Sequence, residues 1–272
     1  MLEMLSIPFM RQALLASLLL AMMLAYLGIH VVRRRIVFVD LAIAQLSAVG
    51  VALGMLLDKD PISFSLIFTL VGAGLLSLPA YERRIPQEAI MGIVYAVASA
   101  VAILAIAKMP HGEADILNLF FGNILAVTTD QILVLALTFG LVGLIHAIFF
   151  AQLAEQPAPS RGTTSHLKRF GWNLLFYLTL ALVIAVAIRT AGVLLVFSNL
   201  VIPAVAALLF AERFLALTFL AVGIGLIANW TGLYASYKFD LPTGPSIVAA
   251  LGGWLALISL CKGLLRLWRG KR

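Results

Sequence analysis

Nine stretches of this chain run close to the roughly 20 residues that a helix needs to cross a bilayer's hydrocarbon core, and almost none of their residues is charged. They are 9–32, 40–57, 62–80, 89–107, 131–150, 172–190, 192–211, 214–235 and 244–265. In lipid a single segment can satisfy its backbone N–H and C=O groups only by coiling into a helix. The runs therefore predict an all-α polytopic membrane bundle of nine transmembrane helices. Only Glu212-Arg213 separates the seventh run from the eighth, so eight spans with one broken or re-entrant segment is the alternative. The stretch 118–125 is too short to cross and is expected in the interface. Composition agrees: 63% of residues are hydrophobic and 11% charged. A soluble domain is about half apolar and about a quarter charged, so a soluble enzyme and a disordered chain are excluded. All 272 residues share this style, which implies one transmembrane domain over 1–272.

Lys and Arg set the orientation, because they accumulate in cytoplasmic loops. With the N-terminus outside, the inner loops hold Arg33, Arg34, Arg35, Arg83, Arg84, Arg161, Lys168, Arg169, Arg213, Lys262, Arg266, Arg269, Lys271 and Arg272. The outer loops hold Arg11, Lys59, Lys108, Arg189 and Lys238. The bias predicts N-out, C-in. Clustered this way, the net charge of +7 does not form the basic, aromatic-lined face that nucleic acid would need. The C-terminal run from Lys262 to Arg272 alternates cations with Leu and Trp, and is expected to anchor at the lipid surface. The N-terminus lacks a positive n-region, so the first span is expected to be retained.

Polar residues inside spans cost free energy and are candidates for function. Asp40 opens the second run, Gln45 and Ser47 follow within it, and Ser198-Asn199 lie near the middle of the seventh. Asn199 stands four residues before Pro203. Proline has no N–H, so the Asn199 carbonyl loses its helical partner. Freed carbonyls at that depth either line a pathway or are satisfied by a neighbouring helix. Both readings stay open on sequence alone. His111, Glu113 and Asp115 form an outer H-G-E-A-D cluster that could catch a divalent cation or be an ordinary solvated loop. His30 and His146 read as helix-end or packing residues. No phosphate-binding G-x-x-x-x-G-K-[ST] is present, and neither H-E-x-x-H nor G-x-S-x-G occurs. The single Cys261 allows no intrachain disulfide.

Four stretches, in order, resemble the permease subunit of metal-ion ABC importers of the zinc and manganese type. The first runs from Pro8-Phe9-Met10 through Gly28-Ile-His-Val-Val-Arg33-Arg34 to Gly50-Val-Ala-Leu-Gly54. The second is Ala89-Ile-Met-Gly-Ile-Val-Tyr95 with Leu119-Phe-Phe-Gly122-Asn-Ile-Leu125. The third is Gly192-Val-Leu-Leu-Val with Val201-Ile-Pro203-Ala204, and the last is Asp240-Leu-Pro242-Thr243-Gly244. The resemblance implies a multi-pass permease in a bacterial inner membrane, working as a homodimer. It implies two cytoplasmic ATPase subunits that bind the ATP, an extracytoplasmic substrate-binding protein, and no catalytic residue or cofactor in this chain.

The chain departs from that pattern in places. The family's helical Asp and His, four residues apart, fall here on Leu41 and Gln45; Asp40 is one residue away, rotated by about 100°. Polar Ser198-Asn199 stands where the family is mostly apolar. Polar groups within apolar spans make Asp40, Gln45, Ser198 and Asn199 the expected cargo pathway, and the departures from the family's ion pair leave the cargo a different cation, a chelated metal or something not metallic. Neutral amides are poor ligands for a divalent transition metal. The ATPase-coupling segment falls on Gln152, Leu153, Ala154, Glu155 and Gln156, one helical turn before Pro157. A gradient-driven transporter and a non-transporting membrane scaffold are the rival readings. The first would need a buried coupling carboxylate, for which Asp40 is the nearest candidate.

Overall fold

The computed structural model describes residue 4 and residues 6–78, 85–108, 123–154 and 166–269. Among these residues the chain is helical and contains no strand. We number the helices α1 (Pro8–Arg33), α2 (Val39–Leu56), α3 (Pro61–Leu76), α4 (Gln87–Ile106), α5 (Thr129–Ile148), α6 (Phe150–Ala154), α7 (His166–Ala191), α8 (Val193–Leu208), α9 (Phe214–Phe239) and α10 (Thr243–Arg269). Each of the nine apolar runs carries one helix. Seven are long and apolar enough to cross a membrane, whereas α3 and α8 are shorter apolar helices. Of the stretch 118–125 expected in the interface, 118–122 lie outside the described residues, and Ile124 opens a single 3-10 turn, Ile124–Ala126.

The chain divides into two compact units. Unit one comprises Met1–Arg34, Phe121–Leu135 and Thr190–Arg272; unit two comprises Arg35–Phe120 and Ala136–Arg189. Lipid tails are as apolar as leucine, so helices in a membrane associate through close packing and polar contacts, which favours small residues at the contacts. Both units are built this way.

In unit one, Gly28 of α1 lies directly against the main-chain carbonyl of Leu200 in α8, leaving no room for a side chain. Around it, Ala25, Ile29, Ala204, Ala207, Leu217 and Ala221 form a buried cluster from α1, α8 and α9. Toward the other end of α1, Met10, Ala13 and Leu14 pack with Leu233 of α9. These pairings fix α1 and α9 as antiparallel. The link from α7 to α8 is the single residue Gly192, whose φ of 78° suits a residue without Cβ. Helix α9 ends at Asp240 in the left-handed region, with φ 52° and ψ 47°. Ser236 Oγ donates to the Leu241 carbonyl at 2.7 Å and lies 2.9 Å from the Thr243 hydroxyl. The D-L-P-T-G stretch is thus a helix stop and restart held by the Ser236 hydroxyl of the preceding turn.

In unit two, the G-x-x-x-G of α2 meets α3. A Cβ at Gly50 would fall 2.6 Å from the Phe64 carbonyl oxygen, and one at Gly54 would fall 2.8 Å from the Pro61 Cα. Ser47 and Ser65 share a 2.7 Å hydrogen bond across this seam. The other side of α2 presents Ala48 and Val49 to Ala98 and Ala102 of α4. Helix α3 begins at Asp60, whose carboxylate accepts from the Ile62 and Ser63 N–H groups and from the Ser63 hydroxyl. These bonds, led by the Ser63 hydroxyl, hold its carboxyl below the usual carboxylate range.

Candidate functional site

Asn199 sits on the buried side of α8, one turn before Pro203, with its side chain wholly enclosed. Its Nδ2 donates to the Leu195 carbonyl at 3.0 Å, which holds the amide along its own helix. Its Oδ1 accepts from Asn229 Nδ2 of α9 at 2.6 Å. Asn229 is equally enclosed, and its Nδ2 also donates to the Gly225 carbonyl at 2.8 Å. Both amide hydrogens of Asn229 are therefore used, and its Oδ1 has no hydrogen-bond partner. An amide has two donors and an oxygen with two lone pairs, so the pair is rich in acceptors. One turn away, Gly225 brings α9 within van der Waals reach of Ala21 and Pro203: a Cβ there would lie 3.5 Å from the Ala21 carbonyl oxygen and 3.6 Å from the proline ring.

Ser17 belongs to the same layer. It lies one turn after Leu14 and one turn before Ala21, while Asn229 lies between Gly225 and Leu233. The antiparallel register of α1 and α9 puts the two at one level. Ser17 is buried, and its hydroxyl donates to the Leu14 carbonyl at 2.9 Å. Ser198, also buried, donates to the Leu194 carbonyl at 2.8 Å and is satisfied along α8. Unit one thus has a polar layer of uncharged side chains inside an apolar bundle.

Unit two holds the other expected residues. Asp40 lies in the first turn of α2. It is buried, and its Oδ1 has no hydrogen-bond partner. Gln45 is buried on the same helix with Nε2 unpartnered. The Thr69 hydroxyl of α3 is a third unpartnered buried group in this unit. Gln45 and Ser47 differ by about 200° around α2, so they face opposite sides of it. Asp40 and Ser47, seven residues apart, share one face.

Both histidines are buried. His30 is enclosed by Tyr26 and Phe214, with ring centroids at 5.1 Å and 4.8 Å. His146 Nε2 lies 3.0 Å from the Thr179 hydroxyl. That hydroxyl also lies 2.9 Å from the Leu175 carbonyl and 3.0 Å from the Phe176 carbonyl, one turn back on its own helix. Among the described residues, no group of three or more His, Cys, Asp or Glu gathers to hold a metal ion. His111, Glu113 and Asp115 lie outside the described residues. Of the expected coupling segment, Gln152, Leu153 and Ala154 fall in α6 with Gln152 exposed and Leu153 buried, while Glu155 and Gln156 lie outside the described residues.

Sequence reasoning missed Asn229 and Ser17. An available signal for Asn229 was a carboxamide deep inside an apolar run, the same signal that marks Asn199. For Ser17 there was none, since lone serines are common in membrane helices.

A family profile described as "ABC 3 transport family" matches residues 6–262. The chain is 28% identical to the manganese transport system membrane protein MntC of Halalkalibacterium halodurans, over 99% of this chain and 94% of that protein. It is 25% identical to the high-affinity zinc uptake system membrane protein ZnuB of Haemophilus influenzae, over 92% of this chain and 96% of that protein. Its fold is similar to that of PsaBC from Streptococcus pneumoniae in complex with Fab, with a TM-score of 0.76, 24% identity, and coverage of 94% of this chain and 93% of that one. It is also similar to an inward-facing conformation of a putative metal-chelate type ABC transporter, with a TM-score of 0.72, 14% identity, and coverage of 92% and 85%.

Proposed function

This chain belongs to the ABC 3 transport family, and from that premise we propose its place in a transport cycle. It is a multi-pass membrane permease subunit of a metal ABC importer, and ATP hydrolysis belongs to a separate subunit. The observation that carries the reading is the extent of the family match, which covers residues 6–262 and so takes in nearly every helix.

Further details are our proposal. The chain works as a homodimer in a bacterial inner membrane, nine spans per copy, N-out and C-in. Two ATPase subunits dock at α6 and the residues that follow, through Gln152 to Gln156. A binding protein delivers cargo on the outer side. ATP is bound only by the partner, and this chain needs no cofactor of its own. The cargo is a metal ion or metal complex. Support for a hydrated or chelated form comes from Leu41 and Gln45, which stand in place of the family's Asp and His. Carboxamide and carbonyl oxygens favour hard or ligand-bound cations over bare thiophilic ones. We assign pathway roles to Asp40 and Gln45 in unit two, and to Ser198 and Asn199 in unit one. Asn229 holds Asn199 in place.

The test is purification of the complex from its native host, followed by metal uptake in proteoliposomes. Co-purification of an ATPase subunit, with uptake that stops when ATP is withheld, is expected. Uptake that follows an ion gradient without ATP would instead favour the secondary-transport reading, with Asp40 as the coupling carboxylate. A chain that purifies without an ATPase and moves no metal would favour a scaffold.

A further inference from the structure

Three cations lie at one end of unit one, and among the described residues aromatic rings and a main-chain carbonyl are the partners seen for two of them. The Arg33 guanidinium, at the end of α1, lies over the Phe214 ring at 5.9 Å. Lys262 of α10 lies over the Phe210 ring at 5.5 Å, and its ammonium donates to the Leu209 carbonyl at the C-terminus of α8. Arg213 is exposed between these two rings in the sequence, at the start of α9. Phe210 is 52% exposed, so this rim pairs cations with an open aromatic surface. Glu212 is exposed on the same turn and offsets one of the three charges. The same helix ends carry exposed leucines: Leu208 on α8, Leu215 on α9, and Leu260 and Leu264 on α10.

A helix that crosses a bilayer must place its ends at the level of the lipid head groups. At that depth a cationic rim above an exposed apolar face matches an amphiphile with an anionic head. Phenyl rings hold Arg33 and Lys262 by cation–π attraction, which leaves N–H groups of the guanidinium, and those of the ammonium not given to Leu209, to donate, while Arg213 is exposed at the start of α9. Arginine's planar fork suits two phosphate oxygens at once. We infer that this end of unit one is a binding site for an anionic phospholipid. Its phosphate is held by Arg33, Arg213 and Lys262, and its acyl chains lie against the exposed leucines. The inference rests on the chain spanning a membrane and does not depend on what it transports.

The experiment uses the full chain in nanodiscs of phosphatidylcholine with or without phosphatidylglycerol. It reads lipid retention by native mass spectrometry and thermal stability in parallel. Wild type is expected to retain phosphatidylglycerol preferentially and to unfold at higher temperature when it is present. In Arg33→Gln/Arg213→Gln, each lost charge should weaken retention about fivefold, while stability in pure phosphatidylcholine stays close to wild type. Lys262 also caps α8, so Lys262→Arg serves as the second variant, and it should retain the lipid. Inorganic phosphate added to phosphatidylcholine discs separates the two sources of the anion: stabilisation by phosphate alone would overturn a lipid site. The proposal also fails if the phosphatidylglycerol effect survives the double variant. It fails too if the effect is absent and Arg213 is shielded from labelling only in complex with an ATPase subunit, since the rim would then be a protein dock.

Discussion

Asn229 Nδ2 donates to Asn199 Oδ1 at 2.6 Å, joining α9 to α8 between two side chains that have no exposure to solvent. The donor is fully used and its own oxygen is unpartnered, so the pair is satisfied on one side only. This makes it a sensitive place to perturb unit one.

Replacing Asn229 by Leu strands the Asn199 oxygen, and an unpaired buried acceptor costs about 1–3 kcal/mol. The coupling between the two amides should be smaller, about 0.6 to 1.7 kcal/mol, because polar groups in a membrane protein find other partners when one is lost. A double-mutant cycle with Asn199→Leu, read by denaturant unfolding in detergent, measures it. Additive single effects would show that the bond is idle.

Uptake should fall in Gln45→Ala and in Asn199→Ala at unchanged protein level, and further in Asn199→Leu, which removes the polar lining as well. Gln45→His should move preference toward zinc or manganese. Metal competition in proteoliposomes reads both. Normal uptake in the double alanine variant would remove these residues from the pathway.

Gly28 and Gly74 are both glycines in apolar helices, and they should respond in opposite ways to alanine. At Gly28 the new methyl meets the Leu200 carbonyl, whereas at Gly74 it meets nothing within 4 Å. Overpacking of a tight contact costs about 1–3 kcal/mol, so Gly28→Ala should lower the unfolding temperature clearly. Gly74→Ala should leave it level or raise it, since alanine is the better helix former.

The cap at Asp60 predicts a pH dependence confined to acid. Its carboxyl is held below its ordinary value in the folded state, so the cap's stabilisation is complete above the unfolded pKa of about 3.9. It is lost as pH falls through the lower folded value. Hydrogen exchange at the start of α3 should accelerate below about pH 4 in wild type and show no such step in Asp60→Asn. The site is fully exposed, so global stability should change little.

Cysteine placed at Ser165 and at Lys238 should label from opposite faces of the membrane. Labelling from the same face would refute the nine-span, N-out arrangement.

Much of this fold was legible because lipid leaves a segment few choices. Each apolar run had to become a helix, and each did. The site was only partly legible. Asn199 stood out because Pro203 four residues on removes the N–H that its carbonyl would have met, a consequence of covalent structure alone. Asp40 and Gln45 stood out as polar groups in an apolar run, and all three proved buried.

The sequence could not say what these groups meet. Asn229 lies thirty residues from Asn199 on a helix with apolar residues on every side, so no periodicity marks the face that turns toward α8. Gly72 and Gly74 stand two residues apart in α3, yet Gly72 lies against Leu46 and Gly74 faces open space. Hydropathy and backbone hydrogen bonding act within a segment, so the sequence by itself determined which residues became helix and which polar groups were carried to depth. Pairing between helices depends on rotation and register, set by close contacts such as Gly28 on Leu200 that involve residues far apart in the chain. Only the tertiary structure decided which amide met which, because in lipid that choice is made by side-chain shape and not by apolarity, which every face shares.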